Sequence, residues 1–120
     1  MSKAVLLRTD NVIEFHNFTK DSLDFYYKTI GCDLIDIVQA YELKRLGYKD
    51  FILIVDDEGL LKENFKINIY ASLLYGQPLA GNILVCKEEF RDDGIHTIGL
   101  EQKDIDDLFE GLTILFDKRK

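Results

Sequence analysis

FILIVDDEGLLKENFKINIYASLLYGQPLAGNILV, residues 51–85, decides the fold of this 120-residue chain. It opens and closes on short apolar runs, Phe51-Ile52-Leu53-Ile54-Val55 and Ile83-Leu84-Val85-Cys86. Both are rich in β-branched residues and bounded by turn residues, which is the pattern of strands covered on both faces. Asp56-Asp57-Glu58-Gly59 reads as a tight turn with its glycine at a position that tolerates positive φ. Asn68 is a good N-cap and Gly76 a good stop, so Asn68–Tyr75 is expected to form a helix of two turns. Pro78 ends that segment, and Gly81-Asn82 allows a sharp entry into the second strand.

Upstream, Ala4–Leu7 and Val12–Phe15 flank the turn residues Thr9-Asp10-Asn11 and read as a hairpin. Thr19–Gly31 reads as a helix capped by Thr19 or Asp21 and stopped by Gly31. Leu23, Tyr26, Tyr27 and Ile30 repeat at helical spacing and are expected to face the sheet. Leu34–Val38 is a strand by composition; in Tyr41–Lys49, Leu43, Leu46 and Gly47 fit either one helical turn or a twisted strand with a loose loop, and the stretch is read as a strand followed by a turn. Downstream, Arg91–Gly94 is a surface turn. Glu101–Phe116 carries Ile105, Leu108, Phe109, Leu112 and either Leu115 or Phe116 on one helical face. The basic run Lys118-Arg119-Lys120 stands at the negative end of that helix. The element order ββαββαβα implies an α+β fold, a mostly antiparallel sheet with two or three helices, the last one C-terminal, in a single domain over residues 1–120.

Hydrophobic residues make up 47% and charged residues 31% of the chain, the balance of a folded globular protein. The start, MSKAVLLRTD, does not read as a signal peptide, and the longest apolar runs are far too short to span a bilayer, so a cytoplasmic protein with no membrane partner is expected. Cys32 and Cys86 lie in apolar runs without metal-ligand spacing and read as free buried thiols. Residues 51–120 hold fourteen acidic against eight basic side chains, within a net charge of -7. That field opposes nucleic-acid binding, which depends on a positive surface.

His16 and His96 have neither metal spacing nor a neighbouring nucleophile. Asp56–Gly59 lacks the alternating ligands of a calcium loop, and Asp104, Asp106 and Asp107 suit the first turns of any helix. Phosphate-loop, dinucleotide and nucleophile-elbow patterns are absent. No catalytic residue, metal or cofactor is therefore expected. The stretch from Lys62 to Tyr70 differs, because it mixes lysines, amides and aromatics around a helix start. Lys62, Asn64, Lys66, Asn68 and Tyr70 form the candidate ligand site: free N–H groups and lysine charge for an anion, Tyr70 for stacking. The simpler alternative is that Asn68 caps, Phe65 and Tyr70 pack, and the lysines are solvated. Tyr26, Tyr27, Tyr41, Tyr48 and Tyr75 add amphipathic surface suited to an interface.

Four segments carry a resemblance. They are Ile30-Gly31-Cys32-Asp33-Leu34-Ile35; Ile54–Lys62 with its acidic turn and Gly59; Asn68 followed three positions later by Ala71; and Gly81-Asn82-Ile83-Leu84-Val85. Together they resemble a family of short proteins from bacteriophages, plasmids and their hosts, domain of unknown function 3846. Cys32 stands where that pattern usually has a second glycine, and the loop Tyr41–Asp50 is longer than usual. The resemblance implies a small accessory protein of a mobile element and supplies no catalytic residues. Two functional classes follow as expectations. One is a non-enzymatic homo-oligomer, in the host cytoplasm, that sequesters a nucleotide-like defence signal. The other is an acidic inhibitor that binds a host defence or restriction enzyme directly. A hydrolase acting on such signals ranks third.

Overall fold

The structure, a computed structural model, describes residues 2–118. Six strands form one antiparallel sheet: β1 (Lys3–Leu7), β2 (Ile13–Asn17), β3 (Ile35–Gln39), β4 (Phe51–Asp56), β5 (Ile83–Arg91) and β6 (Gly94–Ile98). The order is β2-β1-β5-β4-β3, and β6 pairs with the second half of β5 on the edge whose first half takes β1. Four helices complete the α+β fold: α1 (Leu23–Ile30), α2 (Tyr41–Arg45), α3 (Ile69–Tyr75) and α4 (Gln102–Asp117). None of the described helices is long and apolar enough to cross a membrane.

Side chains alternate across a strand, so two covered faces demand unbroken apolar runs. Val5, Leu7, Phe51, Leu53, Val55, Ile83 and Val85 pack with α2, α3 and α4 on one face. Ala4, Leu6, Ile52, Ile54, Leu84 and Cys86 pack beneath Tyr26 and Ile30 of α1 on the other. The helix α1 turns Tyr26 and Ile30 inward as expected, but Leu23 is 56% exposed and Phe25 packs beside the buried pair in its place. Its cap is Ser22, whose hydroxyl accepts the Phe25 N–H at 3.3 Å. Gly31 ends it at φ 83° as expected. In α4, Leu115 is buried while Phe116 is 46% exposed. Of the basic run that follows, Arg119 and Lys120 lie outside the described residues.

Other expectations are corrected. Residues 41–45 form the helix α2 rather than a strand, because Leu43 inserts against Gly111 of α4, where a Cβ would meet Leu43 at 2.3 Å. β5 runs on to Arg91 and turns into β6, a strand that half-exposed, mixed-polarity residues had concealed. Gly59 is required for close approach and not for positive φ: a Cβ there would stand 2.8 Å from the Ala80 carbonyl oxygen. The chain after it enters a short 3-10 turn, Gly59–Leu61.

Cys32 and Cys86 are free thiols, and Cys86 is buried. Burial, with the charge of Asp21 adding to it, pushes the Cys86 thiol well above its ordinary range. Burial and the hydrogen bond to Asp21 do the same to the Tyr26 hydroxyl. Both folded-state pKa values exceed the unfolded ones, so the stability they contribute is complete below the unfolded values, about 8.5 for cysteine and about 10 for tyrosine. It is lost as pH rises. Urea denaturation across this range is expected to show the unfolding free energy falling by up to about 1.4 kcal/mol per pH unit for each group, with Cys86→Ala and Tyr26→Phe flattening the profile. A profile unchanged by both substitutions would contradict this assignment.

Candidate functional site

The loop between the 3-10 turn and α3 is held at both ends. At its start, Asp56 closes β4 with a nearly buried carboxylate: Oδ1 accepts the Glu58 N–H at 3.0 Å and Oδ2 pairs with Lys62 Nζ. The hydrogen bond from Lys62 to Asp56 is the largest reason the lysine titrates above its ordinary value. At its far end, the Gly81 N–H donates to the Lys66 carbonyl at 2.9 Å, Ile67 bridges Ala80, and the Asn68 N–H donates to Leu79 at 2.7 Å. Residues 62–66 are therefore a short span strung between two fixed points.

Beneath that span lies a cleft of about 240 Å³ lined by Thr9, Gly31, Asp56, Lys62, Asn64, Phe65, Lys66 and Asn82 among others. Asn82 Oδ1 accepts the Thr9 N–H at 3.1 Å, which ties the β1–β2 turn to the entry of β5. Lys66 makes no ion pair among the described residues, whereas Lys62 is engaged by Asp56. Phe65 is 48% exposed at the rim. Cys32 lies near enough to feel both charges: burial raises its pKa most, Asp56 adds to the rise, and Lys62 opposes it.

Of the five residues expected at a ligand site, Lys62, Asn64 and Lys66 come together at this cleft, and Asn68 and Tyr70 do not line it. Asn68 is fully buried. Its Nδ2 donates to the Leu7 carbonyl at 2.7 Å and the Gly81 carbonyl at 2.9 Å, and its Oδ1 accepts the Ala71 N–H at 3.1 Å. The helix start it caps is accordingly closed to a ligand, and α3 has only seven residues. Tyr70 turns the other way, into a separate hollow of about 260 Å³ with Ile13, Phe109 and Leu112. Phe65 is the aromatic that reaches the cleft. Thr9 and Asn82 were missed as lining residues, since only the tertiary fold brings the β1–β2 turn to Gly81-Asn82.

The segments that carry the family resemblance converge here. Gly31, Asp56, Gly59, Lys62, Gly81 and Asn82 line the cleft, and Asn68 with Ala71 locks the helix behind it. A larger hollow, about 560 Å³, lies beside α3, where Ile67, Ile69, Leu73, Pro78 and Leu115 alternate with Glu42, Ser72 and Gln77, and Lys118 is its one cation among the described residues. Among the described residues no group of three or more His, Cys, Asp or Glu is placed to hold a metal ion.

Asn68→Ala removes a helix cap and takes one donor each from the buried Leu7 carbonyl and the half-buried Gly81 carbonyl, an expected loss on the order of 3 kcal/mol by denaturant unfolding. Asn68→Asp keeps the cap acceptor but sets a carboxylate against the Leu7 and Gly81 carbonyls, so it should lose at least as much. An aspartate variant as stable as the parent would show that the donor role is misassigned.

A family model described as a domain of unknown function (DUF3846) matches residues 1–113. No curated protein and no solved structure matches the chain significantly.

Proposed function

The chain belongs to the DUF3846 family, and from its cleft we propose that it is a non-enzymatic binding protein for a nucleotide-like anion. In this reading it is an accessory protein of a phage or other mobile element, and the ligand is a host defence signal that it sequesters. The observation that carries the reading is the set of groups at one cleft: Lys66 without an ion pair among the described residues, Lys62, the amides of Asn64 and Asn82, and an exposed Phe65.

Each group has a chemical task. Lys66 meets a phosphate, and Lys62 joins it while staying tethered to Asp56. The side-chain amides of Asn64 and Asn82 supply donors to phosphate or sugar oxygens. A cleft of about 240 Å³ is smaller than a typical drug-sized pocket, so it holds the phosphate and sugar and leaves the base outside. Phe65 offers that base a face to stack on. Because the whole chain carries a charge of -7 and Asp56 offsets Lys62, the local positive field is small. Binding is therefore modest in strength and weakens with salt.

A second reading, an acidic inhibitor that docks directly on a host enzyme, is favoured by one observation. Asp33, Asp36, Asp57 and Glu58 are all exposed around the outer edge of β3. Capture of one host protein that fails at high salt supports that reading, and capture unchanged by salt counts against its charge mechanism.

Calorimetry of the purified chain against a panel of adenine-containing and cyclic nucleotides tests the first reading. The expected result is saturable heat with at least one nucleotide, lost in Lys66→Glu and weakened in Phe65→Ala by roughly the 1–3 kcal/mol that base stacking contributes. No heat with any member of the panel removes its support. Intact ligand after prolonged incubation separates sequestration from hydrolysis.

A further inference from the structure

The two outer edges of the sheet are unlike, and one of them is self-complementary. In β2, the Arg8 N–H donates to Val12 and the Phe18 N–H to Ser2, so residues 12, 14, 16 and 18 spend their backbone groups on β1. The alternation of an antiparallel ladder then leaves the N–H and C=O of Ile13, Phe15 and Asn17 pointing outward, and among the described residues no strand lies beyond them. On β3 the corresponding outward residues are Ile35, Ile37 and Gln39, since Leu34 and Ala40 bond to β4. There the Ile37 N–H is already taken by Asp36 Oδ1 at 2.9 Å, and exposed acids surround the edge. A carboxylate at an edge is a usual block against strand addition. On β2, among the described residues, no side chain takes the outward N–H of Ile13, Phe15 or Asn17, and the Glu14 carboxylate is held by Arg8 and His16.

We infer that β2 is a homodimer interface, pairing antiparallel with β2 of a second copy about a twofold axis at Phe15. This register sets Phe15 opposite Phe15 and Ile13 opposite Asn17, so each outward-facing residue meets another outward-facing residue and exchanges N–H and C=O with it. A shift by one residue would instead pair outward groups with groups already used by β1. In the chosen register Glu14 stands opposite His16 of the second copy, twice by symmetry, a carboxylate facing an imidazole that can donate to it. Glu14 and His16 lie on the α1 face of the sheet with Leu6 and Ala4 as their ladder partners. Within one chain Glu14 is held ready by Arg8 at 2.8 Å and by His16 at 2.9 Å.

The opposite face supplies the apolar part. Phe15 lies on that face with Val5 as its ladder partner and is 52% exposed, although its strand stands beside the core. The Phe15 ring meets Phe109 of α4 edge-on, with centroids 6.0 Å apart. A second copy across the axis brings another Phe15 and Phe109 to the same place and extends one apolar layer through both chains. Two like apolar edges and a crossed Glu–His pair select a second copy over an unrelated strand. Pairing between β3 edges would set acids together without free Ile37 donors.

Sedimentation velocity of the full chain over a concentration series tests the inference. A reversible dimer is expected. Phe15→Lys is expected to convert it to monomer. His16→Glu places like charges across the axis and should weaken the dimer by roughly tenfold, given the size of cross-strand charge effects counted twice. The double variant Glu14→Lys with His16→Glu reverses both signs and should restore it, which a misfolded chain would not do. Ile37→Lys on β3 should leave association unchanged. A monomer at every concentration overturns the inference, as does a dimer indifferent to both Phe15→Lys and His16→Glu.

Discussion

The Asn68 carboxamide joins parts of the chain that are far apart in sequence. Among the described residues it is the one buried polar side chain in the core, and each of its polar atoms has a partner. Through Leu7 it holds the end of β1, through Gly81 the approach to β5, and through Ala71 the first turn of α3. Its backbone carbonyl also accepts from the Ser72 N–H and hydroxyl, and Ser72 in turn accepts the Leu79 N–H at 2.9 Å. An unpaired polar group in such a place costs more than the bond contributes. That asymmetry makes the arrangement specific: α3 can dock on the sheet in this position and in few others.

From that node the cleft follows. The backbone pairing of residues 66–68 with 79–81 begins where Asn68 ends, so the loop that carries Lys62, Asn64, Phe65 and Lys66 leaves a fixed base. The Asp56–Lys62 pair fixes its other root. Ligand-binding loops work best on rigid supports, because less ordering is left to do on binding. The residue that looked from the sequence like a ligand contact is instead the support for those that are placed to be contacts.

How much could be read beforehand depended on whether a signal was local. Phe51–Val55 and Ile83–Cys86 announced doubly covered strands because burial on both faces leaves no room for polar alternation. Gly31, Gly76 and Asn68 announced helix ends because capping is settled within one turn. The α2 helix was hidden because what it packs on is distant in sequence: Leu43 sits in the space that Gly111 of α4 leaves open. Three cap-forming residues within four positions, Thr19, Asp21 and Ser22, left the start of α1 open. β6 could have been found from Asp93-Gly94 followed by alternating Ile95, Thr97 and His96, Ile98. At the site, the lysines were legible by composition, but the exchange of Tyr70 for Phe65 was not. That depends on the phase at which α3 begins, with Ile69 as its first residue and Tyr70 turned toward α4.

The central claim is that Asn68 supports a ligand-binding loop without touching the ligand. An amide-resolved NMR titration with ADP, and with whichever panel nucleotide gives heat, tests it most directly. Shifts confined to residues 62–66, Thr9 and Asn82, with the Asn68 side-chain amide and Tyr70 unmoved, are the predicted result. Shifts centred on Tyr70 and the α4 hollow, or none at residues 62–66, would contradict it.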